Sequence, residues 1–184
     1  AVVGLGIHGL STLLSLSKTG MKCIGFEQNN VLKNEGSSKG NTRMIREIYM
    51  SNYEDYLPLK ERGYELWDEL EKQTGERVYI QTGSVYWDSY SENNQNLDMI
   101  KTAQKHKLSH EILSANDSIK EQPFFKKISE DQYAFLEKNC VILQVKKAIH
   151  SIVNLINYKF NNSTIKENTH ISKIFKVEQG TNHY

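Results

Sequence analysis

The sequence is poor in most of the residues and patterns that would assign it at once to a specialised class. Two cysteines in 184 residues are too few for a disulfide framework; Cys23, in an expected strand, and Cys140, at an expected strand edge, read as buried or incidental thiols in a reducing compartment. A formal net charge of +1 leaves no basic excess to meet nucleic acid, and no apolar run is long enough to cross a membrane. The six histidines form no HExxH motif, which argues against a metal site. No internal repeat is visible. The chain opens without methionine, on three residues of a strand, and closes on Glu178 to Tyr184 as if entering a hairpin with no return strand, so truncation at both ends is expected. What remains is a composition of 24% charged and 38% hydrophobic residues with mean hydropathy −0.59, that of a globular protein of one or two domains.

Against this plain background the first twenty-eight residues stand out. Ala1-Val2-Val3 reads as the end of a buried strand and runs into Gly4-Leu5-Gly6-Ile7-His8-Gly9, a GxGxxG turn. Leu10, Leu13, Leu14 and Leu16 give the following segment helical spacing, Gly20 closes it, and Met21 to Phe26 reads as a second strand ending at Glu27. Each glycine has its own reason: Gly4 for the tight turn, Gly6 for close approach of a pyrophosphate, Gly9 for packing of helix on sheet. The helix start offers free N–H groups and a positive dipole end to phosphate. Glu27 lies near the ~20-residue offset at which an acid binds a ribose diol, which favours FAD or NAD over NADP.

The rest of the chain alternates helix and strand. Residues 29–41 form a polar loop, and in Thr42 to Tyr49 the two arginines, Arg43 and Arg46, are spaced to share one face of a helical turn. A helix is predicted from Glu54 to about Thr74, packing Leu59, Leu66, Trp67 and Leu70 and stopped by Gly75. Arg77 to Asp88 reads as a strand kinked at Gly83, with Tyr86 and Trp87 more in keeping with core than with a ligand platform. A second helix (92–107), a strand (His110 to Leu113) and a short helix capped by Asn116 follow, the last ending before Pro123. Two apolar runs within 131–143, a strong amphipathic helix from Val145 to Lys159, and strands at Ser163 to Lys166 and His170 to Val177 complete the pattern.

The stretch Ser37-Ser38-Lys39-Gly40-Asn41-Thr42-Arg43-Met44-Ile45-Arg46-Glu47-Ile48-Tyr49 resembles the flavoenzymes that oxidise N-methyl and cyclic amino acids: monomeric sarcosine oxidase, N-methyltryptophan oxidase and the peroxisomal sarcosine/pipecolate oxidases. Their pattern here is close to S-x-H-G-D-T-R-x-x-R-x-x-Y. Tyr56-Leu57-Pro58-Leu59, Glu65 to Glu71 and Thr82-Gly83-Ser84-Val85 continue the likeness, which covers most of the chain as the N-terminal half of such an enzyme. Lys39 and Asn41 depart from the family's histidine and aspartate, and Val141 from its glycine.

The resemblance implies an α/β fold: a Rossmann-type FAD-binding domain (1–75 and 139–184) interleaved with part of a mixed-sheet substrate domain (76–138). It implies that Gly4, Gly6, Gly9 and Glu27 bind the FAD diphosphate and ribose, that Ser37, Ser38 and Thr42 lie along the cofactor, and that Ile171 passes the adenine. Arg43 would lie near the flavin ring and Arg46 would hold the substrate carboxylate, as a planar fork suits. The implied reaction oxidises the C–N bond of a secondary amino acid with oxygen, giving imine and hydrogen peroxide. The implied protein is a monomer with a small-molecule amine as its partner and no nucleic acid or membrane, peroxisomal in a eukaryote and otherwise cytoplasmic. Two other readings stand beside this one: a non-catalytic FAD-binding fragment or pseudoenzyme of the same fold, and an NAD-dependent dehydrogenase.

Overall fold

A computed structural model of the chain describes residues 1–33, 36–50, 53–89, 95–121 and 129–176. Two compact units make it up, Ala1–Asn41 with Val145–Tyr184, and the contiguous Thr42–Gln144. The division falls after residue 41 and before 145, so residues 42–75 and 139–144 belong with the inserted unit rather than with the glycine turn. Sheet pairing explains this placement, because Thr42–Ile45, Tyr79–Gln81 and Val141–Gln144 hydrogen-bond to one another.

In the first unit, β1 (Val2–Val3), α1 (Ile7–Lys18) and β2 (Cys23–Phe26) follow the glycine turn as expected. The parallel sheet has the order β1-β2-β9, with β9 spanning Ser163–Lys166. Parallel neighbours need a crossover, and α5 (Val145–Asn154), extended by a π-helical turn over Leu155–Lys159, precedes β9. Leu10, Leu13 and Leu14 of α1 are buried, each contributing on the order of 2 kcal/mol. Ser17 on the same face donates to the Leu13 carbonyl and shares a 2.6 Å hydrogen bond with Ser163 Oγ, fastening helix to the far strand. The strand expected from His170 to Val177 does not form over the described residues 170–176. Among the described residues no neighbouring strand offers it a ladder, and Ile174 and Phe175 stay exposed. Val177 and the expected hairpin at 178–184 lie outside the described residues.

The second unit holds two antiparallel sheets. One has the order β3-β8-β4, from Thr42–Ile45, Val141–Gln144 and Tyr79–Gln81; the other is β5-β7-β6, from Ser84–Ser89, Gln132–Glu137 and His110–Ser114. The helical turn expected around Arg43 is therefore a strand. Thr42 and Ile45 are β-branched and pair with the apolar β8, which favours extended backbone. The strand expected over 77–88 is broken rather than kinked at Gly83, whose φ of +66° ends β4 and lets β5 join the other sheet.

Helix α2 (Tyr56–Thr74) ends at Gly75 in the left-handed conformation, its N–H on the Glu71 carbonyl. Leu70 is buried as expected, and Leu57 with it, whereas Leu59 and Leu66 are exposed, a correction at those two positions of the expected packing face. Helix α3 is described over Gln95–Lys105; the start expected at 92 lies outside the described residues. Its Met99, Ile100 and Ala103 pack with Ile48, Tyr133 and Phe135 in the core of this unit. Helix α4 (Ala115–Glu121) is capped by Ser114, not Asn116: Ser114 Oγ accepts the Asp117 N–H at 3.2 Å and donates to the Asp117 carboxylate at 2.7 Å.

Candidate functional site

In the first unit the glycine turn is held by its own backbone. Gly4, at φ +82°, donates its N–H to the Phe26 carbonyl at 2.8 Å. A Cβ on Gly9 would lie 1.9 Å from the Gly4 carbonyl oxygen, so no other residue fits without moving the turn. Glu27, at the end of β2, is half-buried and accepts the Leu5 N–H at 2.8 Å on Oε2 and the Asn29 N–H at 3.1 Å on Oε1. Each carboxylate oxygen has a second lone pair, so capacity remains for a diol. The Ile7 N–H, in the first turn of α1, donates to Ser38 Oγ at 3.3 Å.

Two cavities meet at this acid. One of about 450 Å³ is lined by Gly6, Glu27, Gln28, Ser37 and Ser38 among others; one of about 210 Å³ by Gly4, Glu27, Gln28, His170 and Ile171 among others. The structure thus brings together Gly4, Gly6, Glu27, Ser37, Ser38 and Ile171, with Gly9 behind the turn. Gln28 and Asn29, which follow the acid directly and carry no motif of their own, also line the larger cavity. A backbone cradle that excludes side chains, followed by a carboxylate with spare acceptor capacity, fits a dinucleotide.

Thr42 and Arg43 lie in the second unit, on β3. Thr42 pairs with Gln144, and Arg43 Nη1 donates to the Thr42 carbonyl at 2.7 Å. Arg46 follows the strand, exposed, in a cavity of about 570 Å³ lined also by Tyr49, Tyr53, Tyr56, Tyr86 and Met99. Its guanidinium carbon lies 5.6 Å from the Tyr86 ring centroid, within cation–π range. The Tyr49 and Tyr56 rings stack at 6.3 Å, and Tyr53 tilts against Tyr56 at 6.0 Å. Burial raises the Tyr49 phenol, against the pull of the Arg46 charge. Burial also pushes Tyr86 up to about 12, helped by nearby Glu137 and opposed by its Ser84 hydrogen bond and by Arg46. Both phenols are neutral near pH 7. Tyr86 packs on the core as expected and in addition lines this cavity.

The backbone at Arg46 is gripped from both sides. The single Tyr64 hydroxyl hydrogen is shared between the Ile45 carbonyl at 3.3 Å and the Asn139 carbonyl at 3.1 Å, while Glu137 accepts the Glu47 and Ile48 N–H groups. Glu47 in turn pairs with Lys60 at 3.5 Å, both side chains nearly buried. Cys140, beside this region, is buried, and burial raises its thiol, as befits an inert packing residue.

Comparison with known proteins agrees with these features. The profile of the family described as FAD dependent oxidoreductase matches residues 1–182. Over 150 residues the chain is 30% identical to the monomeric sarcosine oxidase of Bacillus sp. (strain B-0618), covering 82% of this chain and 38% of that protein. The peroxisomal sarcosine oxidase of Mus musculus is 27% identical over 156 residues, 84% of this chain and 39% of the relative. The chain therefore spans about two fifths of the length of these curated relatives. Among solved structures, the open form of NikD, an unusual amino acid oxidase essential for nikkomycin biosynthesis, superposes with TM-score 0.79 at 23% identity, over 91% of this chain and 42% of that one. L-proline dehydrogenase from P. horikoshii gives 0.76 at 21% identity, over 97% and 46%. Both likenesses establish the fold. With the glycine turn, its acid and nearly the whole length matched by one profile, the chain belongs to the FAD dependent oxidoreductase family.

Proposed function

We propose that the chain supplies the cofactor cradle and the carboxylate anchor of an FAD-dependent amine oxidase. Its substrate is a secondary amino acid: sarcosine, pipecolate or another N-methyl amino acid. The amine loses two electrons and two protons to give an imine, and oxygen takes both to give hydrogen peroxide. The observation that carries this reading is Arg46 in its tyrosine-lined cavity, a fixed cation with an apolar surround.

Bound FAD supplies two-electron acceptance, which amino-acid side chains lack. Gly4, Gly6 and Gly9 admit its pyrophosphate to the start of α1, Glu27 accepts its ribose hydroxyls, and Ser37, Ser38, Thr42 and Ile171 line its length. Arg46 binds the substrate carboxylate through a bidentate, charge-assisted pair, strengthened where the tyrosine rings exclude water. Arg43 supplies a positive charge where negative charge develops during the transfer. Neutral Tyr49 and Tyr86 add no competing anion at Arg46. The protein acts as a monomer, in the peroxisome of a eukaryotic host, as the mouse relative's name suggests, or in the bacterial cytoplasm.

The test is Arg46→Ala in the full-length protein. Loss of a charge-assisted pair worth roughly 1.5–3 kcal/mol should raise KM for sarcosine or L-pipecolate about 10- to 100-fold, with flavin absorbance retained. An unchanged KM would remove Arg46 from the site. Anaerobic addition of either amine should bleach the flavin bands, and a spectrum that neither amine bleaches would reject this substrate class.

A further inference from the structure

Glu137 is buried to 1% exposure, and it is the charged residue among the buried polar groups of the described chain. It ends β7, the central strand of its sheet, between Ser84 on β5 and His110 on β6. Its two oxygens face in different directions of the structure. Oε1 accepts the backbone N–H groups of Glu47 and Ile48, the latter at 3.2 Å. Oε2 accepts the hydroxyls of Ser84 at 3.0 Å and Tyr86 at 3.1 Å.

These four contacts converge on Arg46 by two routes. The Glu47 N–H belongs to the peptide that begins at the Arg46 carbonyl, so holding it fixes the backbone from which the guanidinium projects. The Tyr86 hydroxyl fixes the ring that lies 5.6 Å beneath that guanidinium. The segment after β3 has left its sheet, and Ile48 is fully buried, so its amide must find an acceptor or carry a desolvation cost. A carboxylate is the side chain able to accept from four donors at once.

We propose that Glu137 is a positioning residue of the substrate site: it sets the direction of Arg46 by clamping the Arg46–Glu47 peptide and the Tyr86 ring with one buried carboxylate. The inference rests on the reading of Arg46 as the carboxylate anchor. It gives the second unit a built-in aim for an otherwise exposed arginine.

The test compares Glu137→Ala, Glu137→Asp, Glu137→Gln and Arg46→Ala in the full-length flavin-loaded protein. One readout is deuterium uptake in the peptide covering residues 43–50; the other is KM and kcat for sarcosine and L-pipecolate. In Glu137→Ala, uptake should rise and KM should increase about tenfold, with a smaller change in kcat and flavin still bound. Glu137→Asp keeps the charge but falls short by one methylene, and should show both rises in milder form should the alanine variant fail to fold. Glu137→Gln should recover most of the loss: its amide oxygen still accepts the loop N–H groups, while its NH₂ donates to the Ser84 and Tyr86 hydroxyls, which reverse their roles.

Unchanged uptake and KM in the alanine and aspartate variants would overturn the proposal. So would a glutamine variant as impaired as alanine, since the argument is one of hydrogen-bond geometry. If Arg46→Ala raises KM and the Glu137 variants do not, the clamp alone is wrong; if Arg46→Ala leaves KM unchanged, the anchor itself is wrong. Where neither amine is turned over, deuterium uptake still decides whether Glu137 holds the loop.

Discussion

The cavities of the two units are made of different material. The glycine turn itself is set by backbone, and the decisive fact is where a side chain is absent: a Cβ at Gly9 would lie 1.9 Å from a carbonyl oxygen. Around Arg46 the walls are side chains, held by buried charge. Glu137 and the Lys60–Glu47 pair do for that cavity what peptide geometry does for the other. A backbone-built site constrains a few positions absolutely, whereas a side-chain-built site spreads its constraint over partners far apart in sequence.

This contrast can be broken most sharply at Lys60. Its ammonium lies 3.5 Å from the Glu47 carboxylate, and the two side chains are 6% and 14% exposed. Lys60→Ala leaves a nearly buried carboxylate unpaired and should cost about 3–5 kcal/mol, read as a shift in the chemical denaturation midpoint. A cost below about 1 kcal/mol would show that water reaches Glu47 and that the second unit does not depend on the pair. For the first unit the corresponding change is Gly9→Ala, which should cost about 1–3 kcal/mol and lower the flavin content of the purified protein. Normal flavin content there would mean the turn relaxes more than its geometry suggests.

The smallest effect separates the two kinds of construction by pH. Tyr86 titrates at about 12 when folded and near the usual ~10 when unfolded. Its neutral form is thus favoured by folding, so its contribution is complete below about pH 10 and is lost as pH rises from there through about 12. Tyr86→Phe should flatten the alkaline limb of the stability curve in that window. An identical limb in the variant would assign alkaline unfolding to Tyr64 and Tyr79, whose phenols are also raised.

The same contrast explains what could be read in advance. The β1-α1-β2 unit was legible because its constraints are local: glycine spacing, a leucine stripe and an acid at the strand end. The region around Arg46 was legible by resemblance but not by periodicity. Residues 42–45 have helical arginine spacing, yet their conformation is decided by β8, about a hundred residues later. On α2, Leu70 is buried as its spacing implies, but Leu59 and Leu66 on the same stripe stay exposed and Leu57 is buried instead, since spacing alone does not say which part of a stripe a partner covers. Asn116 has a capping residue type, but Ser114, three residues before Asp117, carries the capping-box pattern. Glu137 leaves a faint signal in the sequence. It closes the apolar run Tyr133-Ala134-Phe135-Leu136 in a central strand, where a charge is buried unless something pairs with it.

The insertion of one unit within the other also sets an order in time. Every strand partner in Thr42–Gln144 has been made once residue 144 is synthesised, including Glu137 for the amides 89 and 90 positions before it. The first unit must wait longer, because β2 at Cys23 pairs with β9 at Ser163. At translation rates of about 5–20 residues per second, β2 spends on the order of 10 s without that neighbour. The cradle that comes first in the chain is therefore the part completed last, and on a ribosome the inserted unit has the opportunity to fold before the unit whose two segments flank it in sequence.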